Sequence, residues 1–501
     1  MNTTIHRRIE KWTEQQKQLH QQTAQLPIKV LQIGEGNFLR GFFDWMIYSC
    51  RQQGLYEGAI AVTQPRISGK PKIDALAAQE GVYTLVIRGL ENGINVERRE
   101  IISVFGEVFD PYSQWNKFLE LAKSESLEVV VSNTTEAGLV YKPEALKENE
   151  PIHSYPGKLT KLLFERYTFF NGDPSKGLVC LPCELLERNG DRLRECVLQY
   201  SEDWGYPDAF KKWILEHNQF LNSLVDRIVT GYPDDEQAFK WFEEWGYKDG
   251  QLTTAEPYHL WAIEADADLE RLLPLQKAGL NVHWVEDLKP YQTRKVRILN
   301  GAHTLMTPIG ILHGMEQVRQ TIEHEQLGAF VKETVEREII PALPMGQEEL
   351  CKYAAEVYER FLNPFIRHRL SDIAMNSLSK FTTRLLPSLL YYIERGEKVP
   401  QGLLKGFAGL LRYYKVEQTA EGYAGKTLKG ESYLVRDDET MLAKVAGIWR
   451  EAAGSKQPLG ETIALLLAAS DIWGCNVAEL RPALTAELEQ AIVEMERAAN
   501  E

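Results

Sequence analysis

The run Ile28-Lys-Val-Leu-Gln-Ile33 passes directly into Gly34-Glu-Gly36-Asn37-Phe38-Leu39-Arg40. A buried strand, a Gly-x-Gly turn and the start of a helix, in that order, form the phosphate-cradling corner of a doubly wound α/β fold. Backbone N–H groups and the helix dipole converge there on a pyrophosphate. The motif is incomplete, because the third glycine of Gly-x-Gly-x-x-Gly falls on Leu39. An ordinary strand-to-helix turn is the competing reading.

The segments that follow extend the α/β pattern. Ala59–Thr63 reads as a second strand. A dinucleotide fold often ends that strand on an acid that holds the adenosine ribose. Thr63, Gln64, Pro65 and Arg66 stand there instead, which leaves NAD and NADP both open and gives NADP a point in Arg66. Val82–Arg88 and Glu97–Val108 read as a strand pair, followed by a helix over about 113–123. The apolar strand Leu127–Ser132 then opens into Asn133-Thr-Thr135-Glu136-Ala-Gly138. Such a polar turn lies at the carboxyl edge of a parallel sheet, where cofactors sit, although Asx and Thr turns alone would produce it. Leu178–Pro182 is another strand, leading to Glu184-Leu185 and to Asn189-Gly190, read as a sharp turn. Helical segments are expected after that, including Asn218–Ile228, in which Asp226-Arg227 reads as a buried ion pair.

From about residue 290 the texture becomes helical, with Leu and Ala at helical spacing over Leu362–Leu390, Leu403–Tyr414 and Glu461–Leu467. The expected division is an α/β domain over 1–284, with a polar helical arm over residues 5–25, and a mostly helical domain over 285–501. A polar, exposed loop is expected from Glu421 to Asp438. The second domain opens on Arg294-Lys-Val-Arg-Ile-Leu-Asn300-Gly-Ala-His303. On an α-helix Asn300 and His303 occupy neighbouring sides of one turn. Lys295 falls within roughly 80° of His303 but farther round from Asn300. An amine, a carboxamide and an imidazole so close together suit proton transfer at a cleft between the domains. The bland alternative is an amphipathic helix with a snorkelling lysine and a satisfied histidine.

Composition narrows the function. A chain of 501 residues, 44% hydrophobic and 26% charged, matches a soluble enzyme. A formal charge of −14 argues against a nucleic-acid partner, though local cations can still hold a small anion. No apolar run has the length of a membrane span, and Met1–Gln25 lacks the apolar segment of a signal peptide. With six cysteines in all, a reducing cytoplasm is the expected location. Cys180-Leu-Pro-Cys183 reads as a structural thiol pair, since no second pair lies near. No His-Glu-x-x-His occurs and the cysteines are scattered, so no metal is expected.

Taken together, these segments resemble the mannitol dehydrogenase family of long-chain polyol-specific dehydrogenases over nearly the whole chain. The resemblance is carried by Gly34-x-Gly36 with Phe38 and Arg40, Thr135-Glu136-x-Gly138, and Asn222-Ser-x-Val-Asp226-Arg227-Ile228. Lys295-x-Arg297-x-Leu299-Asn300-Gly301-x-His303 and Asn376-Ser-x-x-Lys380 complete it. Mannitol and fructuronate members carry Asp-Asn where this chain has Glu184-Leu185, a departure that favours another branch of the family and counts against a polyol substrate. The resemblance implies a Rossmann-type domain followed by a mostly α-helical one, with NAD as cofactor. Its cofactor contacts would be Ile33, Gly34, Gly36, Asn37, Phe38, Arg40, Thr135 and Glu136. It also implies metal-independent hydride transfer to a small sugar acid by a monomer or small homo-oligomer. Lys295 would be the general acid–base, Asn300 and Asn189 donors to the alkoxide, and His303 an orienting group. Asp226 and Lys380 would hold substrate hydroxyls or the carboxylate, with Arg384 one turn beyond Lys380 on the same face.

Overall fold

A computed structural model describes residues 3–6, 12–147, 149–455 and 457–498. Part of the expected N-terminal arm, residues 7–11, lies outside the described residues. The rest forms helix Glu14–Thr23, started by Thr13 and Gln16 in a reciprocal capping box. The chain divides into two compact units: Met1–Gly89 with Asn95–Leu288, and Leu90–Ile94 with Lys289–Glu501.

The first unit is built on a six-stranded parallel sheet. Its strands are β1 (Ile28–Ile33), β2 (Ala59–Thr63), β3 (Phe105–Val108), β4 (Val129–Ser132), β5 (Val179–Pro182) and β6 (Gln219–Phe220). Their spatial order is β3-β2-β1-β4-β5-β6. The chain therefore builds outward from β1 in one direction, then crosses back to build from β4 in the other. Val30, Ile60, Val62, Val129, Val131 and Leu181 enter the core on one face of the sheet. Leu31, Ile33, Ala61, Val130 and Cys180 enter the core on the other. Both faces are buried, which is why these strands read as unbroken apolar runs rather than as alternating ones.

Three expectations for this unit are corrected. The stretch Glu97–Val108 is two strands in different sheets. Ile94–Ile102 pairs with Tyr83–Glu91 in a second sheet, and β3 pairs with β2. The break falls at Ser103, whose carbonyl accepts hydrogen bonds from Thr23 Oγ1 (3.0 Å) and Arg51 Nη1 (2.8 Å). Asn218–Ile228 is not helical: β6, then Ser223–Asp226 antiparallel to Leu260–Glu264, occupy it. Pairing with strands distant in sequence outweighs the local pattern. Asn189-Gly190 is the first turn of helix Asn189–Asp203 rather than a hairpin turn, and the left-handed residue is Arg188, φ 55°.

In the second unit, helix Asn300–Leu312 is buried along almost its whole length and packs against helices Gln401–Tyr413 and Ser377–Arg384. Close approach depends on two glycines one turn apart. A Cβ on Gly406 would stand 2.4 Å from Leu305 Cδ1, and one on Gly409 would stand 2.5 Å from Ile309 Cγ1. The expected Leu362–Leu390 helix is three helices, Leu370–Ile373, Ser377–Arg384 and Leu386–Glu394. Asn376, left-handed at φ 57°, makes one of the breaks. The expected exposed loop from Glu421 to Asp438 contains most of a three-stranded antiparallel sheet, Val416–Thr419, Gly422–Lys426 and Ser432–Val435. Among the described residues no helix is long and apolar enough to cross a membrane.

Candidate active site

The first unit has its crossover point between β1 and β4, the place where open α/β sheets bind ligands beyond the strand ends. Gly34 follows β1 with φ 140°, and a Cβ there would stand 2.9 Å from the carbonyl oxygen of Asn133 after β4. Only glycine fits. Gly36, by contrast, faces open space, with nothing within 4 Å of a Cβ. A phosphate group can approach that backbone closely. Beyond the ends of β2 and β4 a cavity of about 400 Å³ is lined by Pro65, Arg66, Thr134, Thr135, His153 and Tyr155. These features fit a dinucleotide.

Arg40 is directed into the protein. Its Nε donates to the carbonyl of Glu35 at 3.2 Å, its Nη2 to Asn37 Oδ1 at 2.6 Å, and its Nη1 to the carbonyl of Gln251. It therefore positions the turn, together with Asn37. Phe38 stacks on Phe42 at 4.9 Å. The loop after β4 has a support that the sequence did not announce. Glu184 is buried, and its carboxylate accepts from the Thr134 N–H (2.8 Å), the Thr134 hydroxyl (3.1 Å) and the Ser132 hydroxyl (3.1 Å). Burial raises its pKa, and these donors act against the rise. Thr135 and Glu136 follow at the exposed start of a short 3-10 turn.

Asn189 is a backbone clamp. Its Nδ2 is within hydrogen-bond distance of the carbonyls of Pro182 (3.0 Å), Glu184 (3.1 Å) and Ser223 (3.1 Å). Its Oδ1 accepts from the N–H groups of Gly190 and Ser223, each at 2.9 Å. The two amide hydrogens are thus already used, and the alkoxide-donor role expected of Asn189 is corrected on that ground. Asp226 is buried at the end of its strand. Arg227 donates to the carbonyls of Gly41 (2.7 Å) and Glu256 (2.9 Å) and lies over the Trp45 ring.

In the second unit the expected α-helical geometry around Lys295 is corrected. Lys295–Leu299 forms a π-helical turn, and the N–H of Asn300 donates to the carbonyl of Lys295. Five residues on an α-helix would set these two side chains roughly 140° apart. At about 4.4 residues per turn, the wider coil closes that to roughly 50°. Lys295, Asn300 and His303 thereby fall along one side of the helix.

His303 is 8% exposed, and its Nε2 has no hydrogen-bond partner among the described residues. Its ring packs against Phe361 (4.5 Å) and His368 (4.8 Å). Burial, then the charges of His368, Arg360, Arg384 and Lys380, push its pKa well below 6.5, so it is neutral at physiological pH. Those same groups form a positive environment around it. Arg384 Nη1 donates to Thr304 Oγ1 at 3.2 Å, and Lys380 Nζ to the carbonyl of Ile373 at 2.8 Å. Burial lowers the pKa of both. Arg294 is tied to Glu349 at 2.7 Å, and Arg297 donates to the Ser388 hydroxyl. Cys180 and Cys183 are free and buried, and burial raises both thiol pKa values. Among the described residues no group of three or more His, Cys, Asp or Glu is placed to hold a metal ion.

Most of each unit has a counterpart among known protein families. Residues 28–277 match the mannitol dehydrogenase Rossmann domain, and residues 287–496 match the mannitol dehydrogenase C-terminal domain. The chain belongs to the mannitol dehydrogenase family, a family of oxidoreductases. Among its relatives, the altronate oxidoreductase of Bacillus subtilis is 41% identical over 469 residues, covering 94% of this chain and 93% of that one. Those of Phocaeicola vulgatus and Yersinia enterocolitica are each 40% identical and cover 94% of this chain, and 95% and 96% of their own. Two solved structures share the fold. Pseudomonas fluorescens mannitol 2-dehydrogenase, in a ternary complex with NAD and D-mannitol, has a TM-score of 0.63 at 20% identity and covers 95% of this chain and 93% of its own. A substrate-free D-sorbitol dehydrogenase has a TM-score of 0.73 at 21% identity, covering 96% and 94%.

Proposed function

We propose that the chain is a cytoplasmic, NAD-dependent reductase that interconverts D-tagaturonate and D-altronate without a metal. The relatives' printed activity supports the altronate side, and oxidation of one of its secondary hydroxyls gives the ketone. The observation that carries the reading is the π turn, which sets Lys295 on the same side as Asn300 and as His303, whose Nε2 has no partner among the described residues. When bound, NADH supplies the hydride that goes to the carbonyl carbon. Lys295 donates the proton to the carbonyl oxygen as negative charge builds there, and takes it back in the reverse direction. The Asn300 amide donates to the same oxygen, a contact worth most when the oxygen is an alkoxide. His303, neutral and buried, hydrogen-bonds a substrate hydroxyl through Nε2. Lys380 and Arg384 supply the positive charge that a uronate needs and a neutral ketose does not.

The test is a substrate panel with purified, EDTA-treated protein. NADH oxidation is followed with D-tagaturonate, D-fructuronate and D-fructose, and NAD reduction with D-altronate and D-mannitol. The highest kcat/KM is expected for D-tagaturonate and D-altronate. A higher value for fructuronate or mannitol would assign the chain to a neighbouring activity in the family, and complete loss with EDTA would remove the metal-free mechanism.

A further inference from the structure

The end of β2 lacks the acid that commonly holds an adenosine ribose, and the structure offers a replacement from a different element. We propose that Glu35, the middle residue of the Gly34-Glu35-Gly36 turn, receives the ribose hydroxyls of the dinucleotide and sets preference for NADH over NADPH. This rests on the nicotinamide-cofactor reading above.

The turn is joined to the end of β2, because the N–H of Gly34 donates to the carbonyl of Thr63 at 2.8 Å. Glu35 is 8% exposed. Its carboxylate lies on the β2 side of the turn. A Cβ built on Gly69 would stand 2.7 Å from Glu35 Oε1 and 2.8 Å from Gln64 Cβ. The carboxylate is therefore seated among the residues that directly follow β2, the position from which a strand-end acid would reach a ribose. Its backbone is held as well, since the carbonyl of Glu35 accepts from Arg40 Nε.

The other polar groups at this strand end are already engaged. Gln64 is buried and donates to Asp110 Oδ1 at 2.6 Å. Asp110 also accepts from the Tyr112 N–H (3.0 Å) and the Ser113 hydroxyl (2.8 Å), with Lys70 at 3.7 Å. Arg66 and Lys72 are exposed and act on Glu35 through their charge, as does the buried guanidinium of Arg40, whose donors are committed to the carbonyls of Glu35 and Gln251 and to Asn37. A 2′-phosphate would thus meet the buried carboxylate of Glu35 against the solvated charges of Arg66 and Lys72, while Arg40 is committed to the turn. Buried charge is the less screened of the two, so Glu35 governs the discrimination.

The experiment measures binding independently of turnover. NADH and NADPH affinities are read from nucleotide fluorescence on the intact protein, with circular dichroism as the check on folding. The unmodified protein should prefer NADH. Glu35→Gln should weaken NADH by about 10- to 100-fold, the worth of a charge-assisted hydrogen bond, and reduce or invert the preference. Glu35→Asp keeps the charge and shortens the reach, so it should lose an intermediate amount of NADH affinity and still reject NADPH. If a folded Glu35→Gln, or Glu35→Asp should the first not fold, bound NADH within twofold of the unmodified protein, the inference would be overturned. Failure of the unmodified protein to bind either nucleotide would instead sink the cofactor reading itself.

Discussion

The carboxylate of Glu184 and the backbone N–H of Thr134 are 2.8 Å apart, so Glu184 fastens the loop beyond β4. The neighbouring Leu185 is 69% exposed. Glu184→Gln replaces one accepting oxygen with a donor facing other donors. The expected result is a loss of about 1–3 kcal/mol in stability together with weaker NADH binding. Urea unfolding and nucleotide titration check the two parts. Unchanged NADH affinity would detach this loop from the cofactor.

Asn300 and Asn189 carry the same side chain and should fail differently. Asn300→Ala is expected to cut kcat by about 10²–10³-fold with little change in melting temperature, as for loss of one alkoxide donor. Lys295→Ala should cut kcat by about 10²–10⁴-fold while NADH still binds. Asn189→Ala strands three carbonyls and two N–H groups, so its main effect should be a lower melting temperature. If Asn189→Ala kept full stability and lost kcat as Asn300→Ala does, its clamp role would be wrong.

Substitution of Lys380 tests charge recognition against hydroxyl recognition. Lys380→Met should lower kcat/KM for a uronate by about tenfold to a hundredfold and barely affect a neutral ketose assayed beside it. Equal losses on both substrates would make Lys380 a hydroxyl contact and move the carboxylate to Arg384.

Asp44 gives a pH signature. It is fully buried, accepts long hydrogen bonds from Gln32 (3.3 Å) and Tyr83 (3.4 Å), and burial raises its pKa well above 3.8. For a carboxyl with a raised folded-state pKa, its stabilising contribution is complete below the unfolded value. That contribution is lost as pH climbs through the folded one. Asp44→Asn should therefore raise the melting temperature at pH 7 by about 2–4 °C for each kcal/mol relieved. The gain should vanish near pH 4. A variant that was less stable at pH 7 would show that Arg40 compensates the buried charge.

What the sequence made legible follows from where each signal resides. The limits of β1 and β2 were readable to the residue because both faces are buried and glycine or polar residues stop them. Lys295, Asn300 and His303 stood out as a cluster of chemical types. Their alignment did not, since a π turn is a matter of hydrogen-bond register that no residue type announces. Asn218–Ile228 was misread because strand pairing with Leu260–Glu264 is a long-range fact. Glu184 was noticed only as a departure, and Glu35 passed as filler between two glycines. Both act through residues far away in the chain.

The π turn also changes how the helix stores its information. A helix bonded throughout as an α-helix would need about one residue fewer to complete this turn. The alignment of Lys295 with Asn300 is therefore encoded as a count, five steps from one to the other, rather than as any residue between them. Substitutions at Val296, Ile298 or Leu299 leave that count intact, whereas an insertion or deletion there rewrites it. Within this segment the reading frame of the helix sets which side chains share a side, and length variation is the hazard to which it is most exposed.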